Sequence, residues 1–192
     1  SYCNGLVYAG KADWRLPTRK ELATLIDYGR YNPSVDTFTF PSIKSNNYWS
    51  SSFFVHDTDD AWIVDSGKGS VVNIHKNNGG QVICVRGIDW TPVGIFEELA
   101  ISGEVIVKDT ATGLIWQKEY SGVLTWVNAL SYCENSNYAG YADWRLPNIE
   151  ELKTLIDDSI IIPGAPSTDF WSSSSYVGDI RFAWNMNLPE GQ

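Results

Sequence analysis

After Thr125, apolar side chains fall at Trp126, Ala129, Leu130 and Cys133. This i, i+3, i+4, i+7 spacing puts them on one face of an amphipathic helix, with Thr125 as its N-cap. A second helix is predicted after Pro17, where Leu22, Leu25 and Ile26 form the buried stripe. Thr18 and Glu21 have capping-box spacing, the hydroxyl accepting from the N3 amide and the carboxylate from the cap's own N–H. Asn148 and Glu151 repeat the device ahead of Leu152, Leu155 and Ile156. Runs of β-branched and aromatic residues at 48–52, 61–64, 71–74 and 82–85 predict strands. Gly67-Lys68-Gly69 and Asn77-Asn78-Gly79-Gly80 separate the last three, which predicts an antiparallel meander. Val105-Ile106-Val107 and Leu114-Ile115-Trp116, joined through residues 109–113, predict a β-hairpin.

These elements recur. Residues 1–27 return as residues 131–157 with 18 of the 27 positions identical, and Tyr48-Trp49-Ser50-Ser51-Ser52 with Ala61-Trp62 returns as Phe170-Trp171-Ser172-Ser173-Ser174 with Ala183-Trp184. The unit of repetition is a whole module. Splicing the two copies gives one α+β module of a β-hairpin, two helices and an antiparallel meander. Ser1 aligns with Ser131, inside the second module, and Gln192 aligns with Ser70. The expectation is therefore a segment of a longer tandem array, with both modules incomplete at the chain ends. The boundaries read as 1–87 for a first module without its opening hairpin, 88–102 for a linker marked by Trp90-Thr91-Pro92-Val93-Gly94, and 103–192 for a second module without its closing strands.

Composition narrows the classes. Of 192 residues 43% are apolar and 19% charged, which fits a packed globular chain. The net charge of -9 disfavours nucleic acid and other polyanions as partners. No run approaches the ~18 apolar residues of a membrane span. The three Cys are too few for a small disulfide scaffold and have no Cys-x-x-Cys spacing, so their meaning depends on position.

The residues resemble the Lcl C-terminal domain family, typified by the C-terminal domain of a bacterial collagen-like adhesin. Its D-x-x-T-G-L-x-W opening is similar to residues 109–116, and its G-x-x-D-W-R-L-P-T-x-x-E-L element to residues 10–22 and 140–152. Its Y-W-S-S-S and closing V-R-C-V-R are similar to residues 48–52 and 82–86. Ile83 stands where the family's Arg is usual, and Asn148 where Thr is. The resemblance implies tandem C-type-lectin-like modules, distantly similar to formylglycine-generating enzymes, whose R-L-P-T-E-x-E-W element looks like residues 15–21. It also implies a Cys3–Cys84 disulfide between first helix and last strand, leaving Cys133 free, in an oxidising compartment; the alternative is three reduced, buried Cys of a cytosolic protein.

Candidate chemistry is sparse. Arg15 with Glu21, and Arg145 with Glu151, suggest acid–base work, but capping already occupies each Glu. Together with Asp13, Trp14, Asp143 and Trp144 they form the structural motif, both Trp expected buried and each Arg expected to bond neighbouring loops. His56 and His75 have no Ser, Cys or second His at a fixed spacing. Asp57, Asp59 and Asp60 are a loop cluster able to hold Ca²⁺, the only cofactor suggested, although a solvated loop accounts for them and sugar-binding E-P-N and W-N-D triplets are missing. Trp49, Trp62, Trp171 and Trp184 repeat beside Ser and read as core, and the Ser50–Ser52 run as backbone satisfaction. Tyr28, Tyr31, Phe53, Phe54 and Tyr176 read as less tied to the repeat and are the ligand-binding candidates.

The sequence thus predicts a non-catalytic adhesion module of a bacterial extracellular, cell-surface or periplasmic protein, binding a glycan or protein ligand through its loops. The rival is a subunit assembling head to tail with copies of itself into a fibre through strand pairing; an enzyme of the formylglycine-generating type is a distant third.

Overall fold

The computed structural model describes residues 2–54, 57–87, 96–155 and 168–188. His56, Ile156 and the Trp90-Thr91-Pro92-Val93-Gly94 punctuation lie outside the described residues. The chain divides into two compact units, Ser1–Trp90 and Thr91–Gln192.

In the first unit the segment expected to be helical around Cys3 is a single 3-10 turn, Cys3–Gly5, which no side chain caps. Thr18 then opens α1 (Arg19–Ala23): its hydroxyl accepts from the Glu21 N–H, and the Glu21 carboxylate accepts from the Thr18 N–H at 2.9 Å. Three strands follow as an antiparallel sheet, β1 (Asn47–Phe53), β2 (Asp60–Asp65) and β3 (Ser70–His75), in the order β1-β2-β3. The expected fourth member of the meander is not beside β3. Instead Gln81 bridges Tyr48 of β1 in parallel and Val85 bridges Arg15, so residues 81–86 pass from β1 to the D-W-R-L-P loop. Three contacts hold them there. Cys84 is disulfide-bonded to Cys3, Arg86 forms a two-pronged ion pair with Asp13, and Gly80 lets the backbone approach Trp49 so closely that a Cβ there would stand 2.6 Å from the indole nitrogen. The core is built of Leu22, Ala23, Ile26, Val35, Ile43, Tyr48 and Val64.

The second unit begins with an antiparallel sheet of β4 (Phe96–Ile101), β5 (Glu104–Asp109) and β6 (Ile115–Gln117). β5 and β6 are the predicted hairpin. β4 lies in the span read as linker. Its middle residues are exposed, leaving only Phe96 and Ile101 to pack inward, so no alternation marks it as a strand. A Ser102-Gly103 turn, both residues at positive φ, joins it to β5.

Two helices come next, α2 (Trp126–Glu134) and α3 (Ile149–Thr154). Thr125 caps the first, and an Asn148–Glu151 capping box opens the second. On α2, Ala129 is buried and Trp126, Leu130 and Cys133 are half-buried, while its other side chains are exposed. β7 (Thr168–Ser175) and β8 (Ala183–Leu188) pair antiparallel, with the same bulge that interrupts β1 against β2. The result is an α+β chain of three small antiparallel sheets and few helices, organised as two related units. Among the described residues no helix is long and apolar enough to cross a membrane.

Candidate functional site

Each unit is organised around one joint between the D-W-R-L-P loop and the bulged strand. The joint is made by three consecutive serines. Ser51 donates its N–H to the Pro17 carbonyl at 2.8 Å, and Ser173 does so to Pro147 at 2.8 Å. The first serine, buried in both units, donates its hydroxyl across the sheet: Ser50 to the Trp62 carbonyl at 2.7 Å, Ser172 to that of Trp184 at 2.8 Å. The third accepts the first amide of the helix, Ser52 from Arg19 at 3.0 Å and Ser174 from Ile149 at 3.1 Å. A bulge leaves ladder groups without a strand partner, and small hydroxyls supply the missing acceptors and donors in place. These serines are therefore occupied by the backbone.

Arg15 and Arg145 both bond back to the helix that their loop leads into. Each grips the capping carboxylate with both terminal nitrogens, Arg15 on Glu21 and Arg145 on Glu151, one bond of each pair measuring 2.7 Å. The guanidinium hydrogen bonds hold both Glu side chains below the usual carboxylate range. A carboxylate so held is a poor base. Asp13 is drawn down in the same way by Arg86, and both of these side chains are exposed. Trp14 and Trp144 are half-buried rather than buried; each indole N–H bonds a carbonyl of its own loop, so each ring stays at the rim.

The acidic cluster is a turn. Asp57 accepts from the Asp59 amide at 2.8 Å, Asp60 accepts from Asn73 at 2.6 Å, and Lys76 donates to the Thr58 carbonyl. Among the described residues no group of three or more His, Cys, Asp or Glu is placed to hold a metal ion. Cys133 is a free thiol, and burial pushes its pKa up, which disfavours the reactive thiolate.

The aromatic candidates separate into two kinds. Phe54 meets Trp62 edge to face at 5.4 Å, and Tyr176 meets Trp184 in the same way at 5.3 Å. These two belong to the repeat after all, since they occupy matching positions and shield matching Trp residues. Trp49, Trp62, Trp171 and Trp184 are all half-buried. Arg19, itself buried, lies over Trp62 at 4.4 Å. Tyr28 packs on the first core, whereas Tyr31 and Phe53 are exposed. Of the five, Tyr31 and Phe53 are the exposed ones.

The hairpin tips carry exposed apolar groups, of which sequence reasoning singled out Phe53 and missed Val177, Ile180 and Phe182. Beside Phe53 on the first tip, which is 72% exposed, stands Lys76 at 5.4 Å from the ring. The tip between β7 and β8 presents Val177, Ile180 (85%) and Phe182 (61%). The available signal was Ile180 and Phe182 ahead of the repeated Ala-Trp pair, where the first copy has Thr58 and Asp60.

The family model described as the Lcl C-terminal domain matches the chain twice, over residues 1–86 and 105–192. No curated protein and no solved structure matches.

Proposed function

The chain belongs to the Lcl C-terminal domain family, and from that premise we propose that it is a non-catalytic adhesion module of a bacterial extracellular or surface protein. Its repeats, spanning 1–87 and 103–192, are C-type-lectin-like, and they bind a glycan or protein ligand through the hairpin tips. The observation that carries this reading is the distribution of side chains. The repeated Arg, Glu and Ser groups with chemistry to offer are committed to structural bonds, while Phe53, Ile180 and Phe182 are exposed at the hairpin ends. Exposed apolar groups on hairpin loops are a costly surface to keep unless a partner covers them. The Cys3–Cys84 disulfide fits a non-reducing compartment. The net charge of -9 favours neutral or cationic ligand surfaces over sulfated ones.

The test is binding to an array of immobilised neutral and sulfated oligosaccharides, run with Phe53→Ala and Phe182→Ala. Anchors of this kind lose about 1 to 3 kcal/mol on truncation, so at least one variant should bind a neutral ligand about tenfold or more weakly. Unchanged binding by both variants would remove the tips from the proposal.

A further inference from the structure

Two Asn-Gly pairs occur in the first unit, Asn4-Gly5 and Asn78-Gly79, and the fold treats them in opposite ways. A glycine after asparagine leaves the next backbone nitrogen unhindered by a Cβ and free to sample many conformations, so that nitrogen can reach the asparagine side-chain carbonyl. Whether it does depends on what already holds it.

Asn4 lies in the 3-10 turn Cys3–Gly5. The Gly5 N–H donates to the Tyr2 carbonyl at 3.2 Å, and the Leu6 N–H to the Cys3 carbonyl at 3.0 Å. Cys3 is buried in its disulfide with Cys84. The Gly5 nitrogen is therefore engaged, in a turn anchored to the core, and cannot swing onto the Asn4 side chain without opening that turn.

Asn78 lies in the turn that leaves β3. The Asn78 N–H donates to the His75 carbonyl at 2.9 Å and the Asn77 N–H to His75 Nδ1 at 3.2 Å, which fixes the start of the turn. Its end is fixed by Gly80 against the Trp49 indole and by Gln81, which donates to the Asn47 carbonyl at 2.7 Å and accepts from the Trp49 N–H at 3.0 Å. Between these anchors residues 77–79 are exposed. Among the described residues neither the Gly79 N–H nor the Asn78 side-chain amide makes a hydrogen bond, and a Cβ on Gly79 would meet nothing within 4 Å.

We propose that Asn78 is a site of spontaneous deamidation in the folded chain, with water as the co-reactant. The Gly79 nitrogen attacks Asn78 Cγ, its proton passes to solvent, and the new N–Cγ bond replaces the bond from Cγ to the amide nitrogen, which leaves as ammonia. Water then opens the resulting succinimide at either carbonyl. One opening gives aspartate; the other gives isoaspartate, whose main chain runs through the β-carbon. No electrons are exchanged. Both products place a negative charge two positions from Lys76, whose ammonium lies over Phe53. Isoaspartate also adds a methylene to the main chain just ahead of Gly80, where the backbone has no room to move toward Trp49. This inference rests on backbone bonding in the first unit and stands apart from ligand binding at the tips.

The experiment ages the full, disulfide-bonded chain in mildly alkaline buffer and follows each asparagine by peptide mapping with mass spectrometry, aspartate and isoaspartate being separated by chromatography. Asn78 should convert about tenfold or more faster than Asn4, because a held segment reacts only through its open population. In urea with reductant the two rates should converge. Gly79→Ala should slow conversion at residue 78 several-fold; the open space around Gly79 keeps this change from threatening the fold, and circular dichroism checks it. Asn78 surviving as long as Asn4 in the folded chain overturns the site. A rate difference that persists in urea overturns the role given to the fold, and conversion indifferent to Gly79→Ala overturns attack by the Gly79 nitrogen.

Discussion

Glu21 joins three local demands in one carboxylate. It closes the capping box, takes both terminal nitrogens of Arg15, and accepts from the Thr18 hydroxyl. Glu151 does the first two of these for Asn148 and Arg145. Charge-assisted, two-pronged bonds favour the ionised form, so the pKa of each Glu lies below its ordinary 4.5 in the folded chain. The sign for stability follows. The folded state binds the proton more weakly than the unfolded state, so the contribution is fully present above the ordinary value and is lost as pH falls through the lowered one. Thermal midpoints should therefore drop as pH is taken below about 4.5, and the double variant Glu21→Gln, Glu151→Gln should flatten that acid limb. At neutral pH each substitution should cost about 2 kcal/mol, the range for a hydrogen bond to a charged group. A variant as acid-sensitive as the parent would show that other carboxylates set the limb.

At the scale of the element, the bulged strand and the helix it receives behave as one device. β1 and β7 each lose register against their neighbour, and each recovers the lost bonds through its three serines. Ser172 is 0% exposed and serves two backbone groups, the Trp184 carbonyl and the Ser174 amide. Ser172→Ala leaves both unsatisfied in the interior and should cost about 2 kcal/mol, and Ser50→Ala nearly the same. Ser175→Ala, at an exposed position of the same strand, should stay within about 0.5 kcal/mol by urea denaturation. If all three variants behave alike, the serine run is decorative. Much of this was legible beforehand, because capping boxes, strand runs and the repeated Tyr/Phe-Trp-Ser-Ser-Ser are local signals. The route of residues 81–86 was legible only through the resemblance, which implied Cys3–Cys84; the meetings of Arg86 with Asp13 and of Gly80 with Trp49 join distant positions that no local pattern names. β4 escaped notice for the opposite reason, since it is an edge strand whose exposed middle carries no alternation.

For the whole molecule, the two units are alike in build and unlike in how they are fastened. Aromatic candidates were misjudged at this scale, because Phe54 and Tyr176 differ in identity and were separated from a repeat in which they hold the same place. The fastening is what now distinguishes the halves. Cys3–Cys84 cross-links the first unit across a sequence separation of 81, while the second holds no disulfide among its described residues. In the chain-entropy account a loop of that size restricts the unfolded state by about 4 kcal/mol. Cys3 is 0% exposed and Cys84 lies between the Gln81–Tyr48 and Val85–Arg15 bridges, so breaking the bond also loosens residues 81–86. Cys84→Ser should therefore destabilise the first unit alone. Hydrogen exchange read by mass spectrometry in mild urea is the direct measurement. Peptides covering β1 and β2 should exchange much faster in the variant than in the parent, and those covering β5 and α3 should be unchanged, since local stability is a property of each cooperative unit. Reductant added to the parent should reproduce the pattern. Equal acceleration in both sets of peptides would show that the units unfold as one, and that the cross-link stabilises the chain as a whole.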